Sequence, residues 1–269
     1  MVRRRMRGFT PVRMLNKLRR TLTRGQKAKG ESKTVKKQKN TILTVLASAA
    51  SFFLVIAMLF SALSLVMNSE KRHRREYERL NVADFMGMSD EDIVRSLMRL
   101  VDYMEGRVDD IVVEVTVYGE RTAMFNERET MHMVDVRTLY QAWRTASCIM
   151  YAFAAVVLAA LIAVFGKRWY VPASKGFIIG FAAFAAMLLA IGAYAVIDFN
   201  SFWTSFHLLF FSNDLWLLDP AESRMINMFP IEFFSNIIIN FVLIFAPVSV
   251  MMLVLSIIAR VRVKKEKVQ

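Results

Sequence analysis

The chain has 269 residues, of which 55% are hydrophobic, and a formal net charge of +13. That length fits one domain or one helix bundle, and four apolar runs of membrane-spanning length exceed what a soluble fold of this size can bury. The charge does not point to nucleic acid, and none is expected as a partner. Residues 1–40 hold 15 Lys/Arg against Glu31 alone, and from Arg260 onward there are five Lys/Arg against Glu266. A basic excess confined to tails beside hydrophobic segments fits membrane topology and anionic lipid instead. The single cysteine, Cys148, excludes an intramolecular disulfide, a cysteine-rich zinc site and an iron–sulfur cluster.

Residues 1–40 form a basic arm. The stretch GQKAKGESKTVKKQKN reads as disordered, and PVRMLNKLRR reads as a short amphipathic turn on the inner leaflet. The apolar run Thr41–Met67 has 27 residues, too many for a signal-peptide core, so a retained first span is expected at about 42–67. The charged stretch NSEKRHRREYERL reads as a helix continuing out of that span. Ser89 followed by Asp92 marks a helix start, Ile93, Leu97, Leu100 and Met104 recur on one face, and Gly106 ends the helix. IVVEVTVYG reads as a short strand. FNERETMHMVDVRTLYQAW begins a helix that runs without a breaker into a second span at about 145–166.

The loop GKRWYVPASKG has three basic residues and no acid, and a third span follows at about 177–197. Residues 198–235 are only partly polar. Pro230 and Glu232 sit at the start of a fourth span, about 235–259, and residues 260–269 form a basic tail. The expected fold class is therefore an all-α membrane protein: four transmembrane helices with a mainly helical extracytoplasmic portion and room for one short strand. Segment 68–142 has 16 acids against 11 bases, and segment 198–235 has five acids against one base. By the positive-inside rule both tails are expected in the cytoplasm, with these two segments on the outer face of the cell membrane.

All three histidines fall in the outer segments. His73, within KRHRRE, is expected to be solvated or at lipid headgroups. His132 shares a helical face with Val136 and Leu139, and Glu129 and Asp135 lie three residues away on either side, placed to orient the ring. His207 lies beside an aromatic face of Phe199, Trp203, Phe206 and Phe210. Ser212-Asn213-Asp214 then stops the helix, and Asp219-Pro220 ends the next apolar piece. The short inner loop makes spans two and three antiparallel neighbours, which brings His132 and His207 together at their outer ends. One imidazole can serve as general base and the other as general acid or oxyanion donor. An interfacial histidine held by packing and an aromatic membrane belt stay open as the plainer readings. Neither G-x-S-x-G nor H-E-x-x-H occurs, and the histidines with Asp198 or Asp214 do not have a known metal-ligand spacing, so no metal is expected. Asn236 and Asn240 are expected to hydrogen-bond across the bundle. The spans carry almost no charge and no helix broken by Gly or Pro, which argues against a transporter.

The blocks FNERETMHMVDVRTLY, IDFNSFWTSFHLLFFSNDLWLLDP and MINMFPIEFF together resemble a family of small bacterial four-helix membrane proteins. That family includes the lipoprotein intramolecular transacylase of Gram-positive bacteria. The resemblance spans roughly 42–258 and leaves out the basic arm. It implies an acyltransferase acting on diacylglyceryl-modified lipoproteins within the phospholipid membrane, without a cofactor. The enzyme would move the sn-2 acyl chain to the α-amine of the N-terminal cysteine. The family's two essential histidines match His132 and His207. Asp135, Asp198, Trp203, Asn213, Asp214 and Trp216 become candidates for binding or orienting substrate, and the aromatic face 199–210 for lining the acyl chain. After Asp219-Pro220 this chain reads AESRM, with Glu222 and Arg224, a departure that leaves room for a different head group. The alternatives are another outer-face lipid or lipoprotein acyltransferase or hydrolase, or a membrane protein that binds lipoproteins without catalysis.

Overall fold

The computed structural model describes residues 11–265, with side chains from residue 37 onward except that of Lys264. In chain order the helices are α1 (Pro11–Met67), α2 (Glu70–Leu80), α3 (Val82–Met86) and α4 (Asp90–Glu105). A hairpin of β1 (Glu114–Val117) and β2 (Glu120–Ala123) follows. Then come α5 (Glu127–Phe165), α6 (Tyr170–Ile197), α7 (Phe199–Phe210), α8 (Arg224–Asn227) and α9 (Ile231–Lys265). Four of these, α1, α5, α6 and α9, contain segments long and apolar enough to cross a membrane. The protein is a multi-pass membrane protein of four helices. In the apolar window of α9 only 6% of the residues are buried by the rest of the protein. Side chains such as Leu189, Val196 and Leu243 point outward, where lipid covers them.

Within the bundle α1 packs against α5, α6 and α9. Its closest partner is α6, because Gly176 and Gly180 stand four apart where the two backbones meet. A Cβ on Gly176 would lie 2.5 Å from Ala47 Cβ, and one on Gly180 would lie 2.4 Å from the Ser48 carbonyl oxygen. This small-residue stripe is how membrane helices gain packing when lipid already satisfies their apolar faces, and the sequence reading passed over it. A second cluster, with Val55, Phe177, Phe184 and Phe245, joins α1, α6 and α9. A third, with Ala47, Val157 and Leu161, joins α1 and α5.

At one end of the bundle the chain builds a small extramembrane domain with its own core. Tyr77 of α2, Ile93, Leu97 and Leu100 of α4, Val115 of β1, Met124, and Met228 and Phe233 of the later segments meet in it. The expected start of α4 is present: Ser89 Oγ accepts from Asp92 N at 3.1 Å, and Gly106 caps the end with φ 79°. The expected strand finds its partner in β2, with Glu114 paired to Ala123 and Val117 to Glu120. Tyr118 and Gly119 form a tight turn with positive φ at both positions.

Four expectations need correction. The charged helix does not continue from the first span, since the chain breaks at Asn68–Ser69 before α2 begins. The break lets His73 fold inward: it is 1% exposed, its Nε2 bonds the Met67 carbonyl at 2.9 Å, and its ring stacks on Phe233. His73 is therefore a core residue and not a solvated one. Burial pushes its imidazole below the ordinary value, with the Met67 bond only partly offsetting that. The loop before the third span is shorter than read, because α6 starts at Tyr170, with Pro172 in its first turn where no backbone N–H is needed. In addition, the arm expected to be disordered has helical backbone from Pro11 through residue 40, continuous with the first span; residues 1–10 lie outside the described residues. Asn236 does bond across the structure, to Glu76 at 2.6 Å, whereas Asn240 bonds back to the Asn236 carbonyl one turn earlier.

Candidate functional site

The two remaining histidines come together where α5 emerges into the extramembrane domain. With 39 residues, α5 is about 58 Å long, roughly twice the hydrocarbon thickness, so its N-terminal part stands outside the span. Asn126 starts it with a capping box: its side chain accepts from Glu129 N, and Glu129 Oε2 accepts from Asn126 N at 2.7 Å. His132 follows one turn later. The other partner lies on α7, which turns back after α6 so that Ser205 meets Tyr194 at 3.0 Å.

The ring centroids of His132 and His207 are 6.3 Å apart, and both residues are buried. Phe211 packs against both, at 5.3 Å from His132 and 5.7 Å from His207. Trp216 stacks on His207 at 4.6 Å, and Trp203 covers it from within α7 at 4.5 Å. The segment 211–216 is thus a roof over the pair, held to α5 on both sides of His132. Asn213 donates to Asp135 at 2.8 Å, and Arg128 bonds the Asp214 carbonyl and approaches its carboxylate at 3.5 Å. Trp216 Nε1 donates to Asn213 O at 3.0 Å, which sets the angle of the indole.

Hydrogen bonding distinguishes the two rings. His207 Nδ1 lies 2.7 Å from the Trp203 carbonyl, which can only accept, so the proton of the neutral ring sits on Nδ1 and Nε2 carries the lone pair. His132 Nδ1 is buried without a partner. A buried N–H lacking an acceptor is the rarer and costlier arrangement, so the proton of His132 belongs on Nε2. Neither Nε2 is sealed off in this way. Burial among aromatics pushes the His207 imidazole below its ordinary value near 6.5, and the Trp203 carbonyl only partly restores it.

Apolar surface reaches this level. Met131 and Val134 flank His132 and are half exposed, and Phe206, Leu208, Leu209 and Phe210 are exposed around His207. The expected face of Phe199, Trp203, Phe206 and Phe210 is real and outward-facing. Of the residues expected near the histidines, Asp135, Trp203, Asn213, Asp214 and Trp216 are brought together. Asp198 is not. It caps α7, accepting from Ser201 N at 3.0 Å, at the end of that helix away from His207. Hydrogen bonds from Ser201 hold its carboxyl below the usual range.

Two contributors were not legible. Arg128 carried no special signal. Glu129 was visible as a neighbour of His132, but its main partners are 94 and 96 residues distant. It is 1% exposed and accepts from Ser223 Oγ at 2.6 Å and from Met225 N at 2.8 Å, which pins the loop before α8 to the start of α5. Among the described residues no group of three or more His, Cys, Asp or Glu side chains is arranged to hold a metal ion.

Comparison with known proteins agrees with this architecture. The chain is similar to the membrane-integral lipoprotein intramolecular transacylase Lit from Bacillus cereus, solved in meso. The TM-score is 0.63 at 23% identity, over 87% of this chain and 100% of that one. It is equally similar to the same protein carrying a histidine-to-arginine mutation, with a TM-score of 0.64 at 21% identity over 88% of this chain and 98% of that one. The form carrying a histidine-to-alanine mutation gives 0.64 at 21%, over 88% and 99%. At these identities the likeness speaks for the fold. Sequence comparison with curated proteins gives no match. The sequence pattern of one family, described as lipoprotein intramolecular transacylase Lit, matches residues 48–234, well over half the length. The chain therefore belongs to the lipoprotein intramolecular transacylase Lit family.

Proposed function

We propose that the protein is an intramolecular acyltransferase for diacylglyceryl-modified lipoproteins. It moves the sn-2 acyl chain from the glyceryl group to the α-amine of the N-terminal cysteine. The observation that carries this reading is the histidine pair with complementary free nitrogens at the edge of an apolar surface. Nucleophile and ester belong to one substrate molecule, so the protein's first task is to fold the lipid head until amine and carbonyl meet. The acyl chains can lie along the outward aromatic face of α7 while the head group reaches the rings.

His207 Nε2, with its lone pair, takes the proton from the attacking amine as the N–C bond forms. His132 Nε2–H donates to the oxygen that gains charge in the tetrahedral intermediate. Collapse forms the amide and breaks the glyceryl C–O bond, and the His207 imidazolium returns its proton to the departing oxygen. Asp135, Asn213, Asp214 and Trp216 act by holding the roof. The charge distribution supports both tails in the cytoplasm and the histidines on the outer face, where lipidated N-termini reside.

Expression in a Gram-positive host lacking this activity tests the proposal. Mass spectrometry of a lipoprotein's N-terminal peptide is expected to give the N-acyl, lyso-glyceryl form. Unchanged diacylglyceryl peptide with well-expressed protein would overturn it in favour of lipoprotein binding, and loss of the acyl chain to water would favour a hydrolase.

The hydrogen bonding also sets an expected titration. His207 should be neutral and protonated on Nδ1 at pH 7, titrating below 6.5. Between the lowered folded value and 6.5 the unfolded chain binds more protons than the folded one. The contribution to stability is therefore complete above 6.5 and is lost as pH falls through the folded value. Loss of the neutral base makes activity fall in the same direction. Nitrogen-15 NMR of histidine-labelled protein reads both the tautomer and the midpoint. A midpoint above 6.5, or a proton on Nε2, contradicts the assignment of His207 as base.

A further inference from the structure

The hairpin of β1 and β2 has two outer edges, and the fold closes only one of them. Met124 N–H donates to the Val113 carbonyl at 2.8 Å, and Val115 and Val117 stand opposite Thr122 and Glu120 in the same register. Bonded pairs alternate along an antiparallel ladder, so Glu114 and Thr116 of β1 and Arg121 and Ala123 of β2 turn their backbone groups outward. On β1 the side chains of α4 meet these groups. Arg95 donates to the Glu114 carbonyl at 2.7 Å, and Asp92 accepts from Thr116 N at 3.2 Å. On β2 the Ala123 carbonyl is met by Arg224 at 2.9 Å. Among the described residues, the Arg121 N–H, the Arg121 carbonyl and the Ala123 N–H have no partner. Both residues are exposed, and the Arg121 side chain is held on Glu114 of the neighbouring strand, away from its own outer edge.

The position of this edge selects its occupant. Ala123 stands just before Asn126, the cap of α5, at the end of that helix farthest from its span. Arg224, on the Ala123 carbonyl, is flanked in sequence by Ser223 and Met225, which both bond Glu129, one turn from His132. The chain path from Ala123 to His132 is at most about 20 Å. A lipidated cysteine whose amine reaches the histidines carries a polypeptide, and that polypeptide has to leave away from the membrane. An extended chain covers the distance in about six residues and then runs against the direction of β2, as an antiparallel strand does. Three backbone bonds are too few to hold a free peptide, but they suffice for one already tethered through its cysteine. They also demand no particular side chain.

We propose that the outer edge of β2 binds the extended polypeptide that follows the lipidated cysteine, as an added antiparallel strand. The proposal rests on a lipoprotein being the substrate. Arg121 exchanges two bonds with one substrate residue. Ala123 N–H donates to the carbonyl of the residue two positions nearer the cysteine, and Arg224 ends the pairing there.

Binding of synthetic diacylglyceryl-cysteinyl peptides to the full chain in detergent, read by fluorescence anisotropy, tests it. One peptide has about twelve residues after the cysteine and the other about three, too short to reach the edge. The long peptide is expected to bind more tightly. Ala123→Pro deletes one outward donor at an edge position, where proline is tolerated. It should weaken the long peptide by about threefold to tenfold and leave the short one unchanged. Ala123→Val, which keeps the N–H, should bind both as the wild type does. Methylating the amides of alternate residues in the long peptide should weaken its binding in one register and not in the other. Equal affinity for the long and short peptides would overturn the proposal. So would equal binding of the two methylated registers, a result read on the wild type that needs no variant to fold. An Ala123→Pro protein that changes oligomeric state but holds the long peptide unchanged would assign the edge to a second copy of the chain. Mass spectrometry of the same mixtures reads the N-acyl product separately. Length-dependent binding without product would overturn the acyl-transfer reading and leave the strand site standing.

Discussion

Replacing His207 by phenylalanine is expected to lower N-acyl, lyso-glyceryl product formation by about 10²–10⁴-fold, the usual worth of a positioned acid–base group. The substitution is chosen because the ring is packed by Trp203, Phe206, Phe211 and Trp216. Alanine there would leave a cavity and confuse folding with chemistry, whereas phenylalanine keeps the aromatic contact and removes only the nitrogens. His132→Ala is expected to cost about 10²–10³-fold through loss of the oxyanion donor. His132→Gln, which keeps an N–H, should recover part of that. Because the two groups act on one intermediate, the double variant should lose far less than the product of the single losses. The measurement is the fraction of converted lipoprotein peptide by mass spectrometry, beside the melting temperature of each variant. Full conversion by both the His207→Phe and His132→Ala proteins would remove the pair from the chemistry.

The second large effect is structural. Gly180→Leu should prevent α1 and α6 from docking, at a cost of about 3 kcal/mol or more, the upper range for overpacking. The added Cβ would sit 2.4 Å from the Ser48 carbonyl oxygen and 2.7 Å from Phe52 N. Both are backbone atoms in a helix, so no side chain can rotate away and the helices must separate. Because α1 and α6 each touch the other three spans, the loss should spread through the bundle. Gly192→Leu on the same helix is the control, since nothing lies within 4 Å of its Cβ position. Melting in detergent and size-exclusion behaviour distinguish the two. A Gly180→Leu protein as stable as the Gly192→Leu protein would mean that the close approach contributes little.

These two experiments fall on different sides of what the residues alone reveal. The four spans follow from the length of the apolar runs, because a helix in lipid must satisfy its own backbone and needs about 20 apolar residues to cross. The start of α4 and the stop of α7 follow from local side chains, Ser89 in the first case and Ser212-Asn213-Asp214 in the second. The meeting of His132 and His207 follows from connectivity, since a short link makes α5 and α6 antiparallel and α7 begins where α6 ends.

Tertiary structure decided the rest. His73 sits among arginines in sequence, yet a single break at Asn68–Ser69 turns α2 so that the ring stacks on Phe233, 160 residues away in the chain. Asp198 carries the right charge and lies close in sequence to the aromatic run, but its local bonds to Ser201 place it as a helix cap. Glu129 gains its role from Ser223 and Met225, partners that no local pattern announces. The sequence by itself determined membership in the membrane, the four spans, the start of α4, the stop of α7 and the two histidines, because each of these depends on hydropathy or on neighbours within a few turns. The direction in which each buried polar group points depends on which distant backbone atom packing leaves open. That is why only the folded structure tells the two rings apart: His207 Nδ1 lies against the Trp203 carbonyl, whereas His132 Nδ1 is buried without a partner.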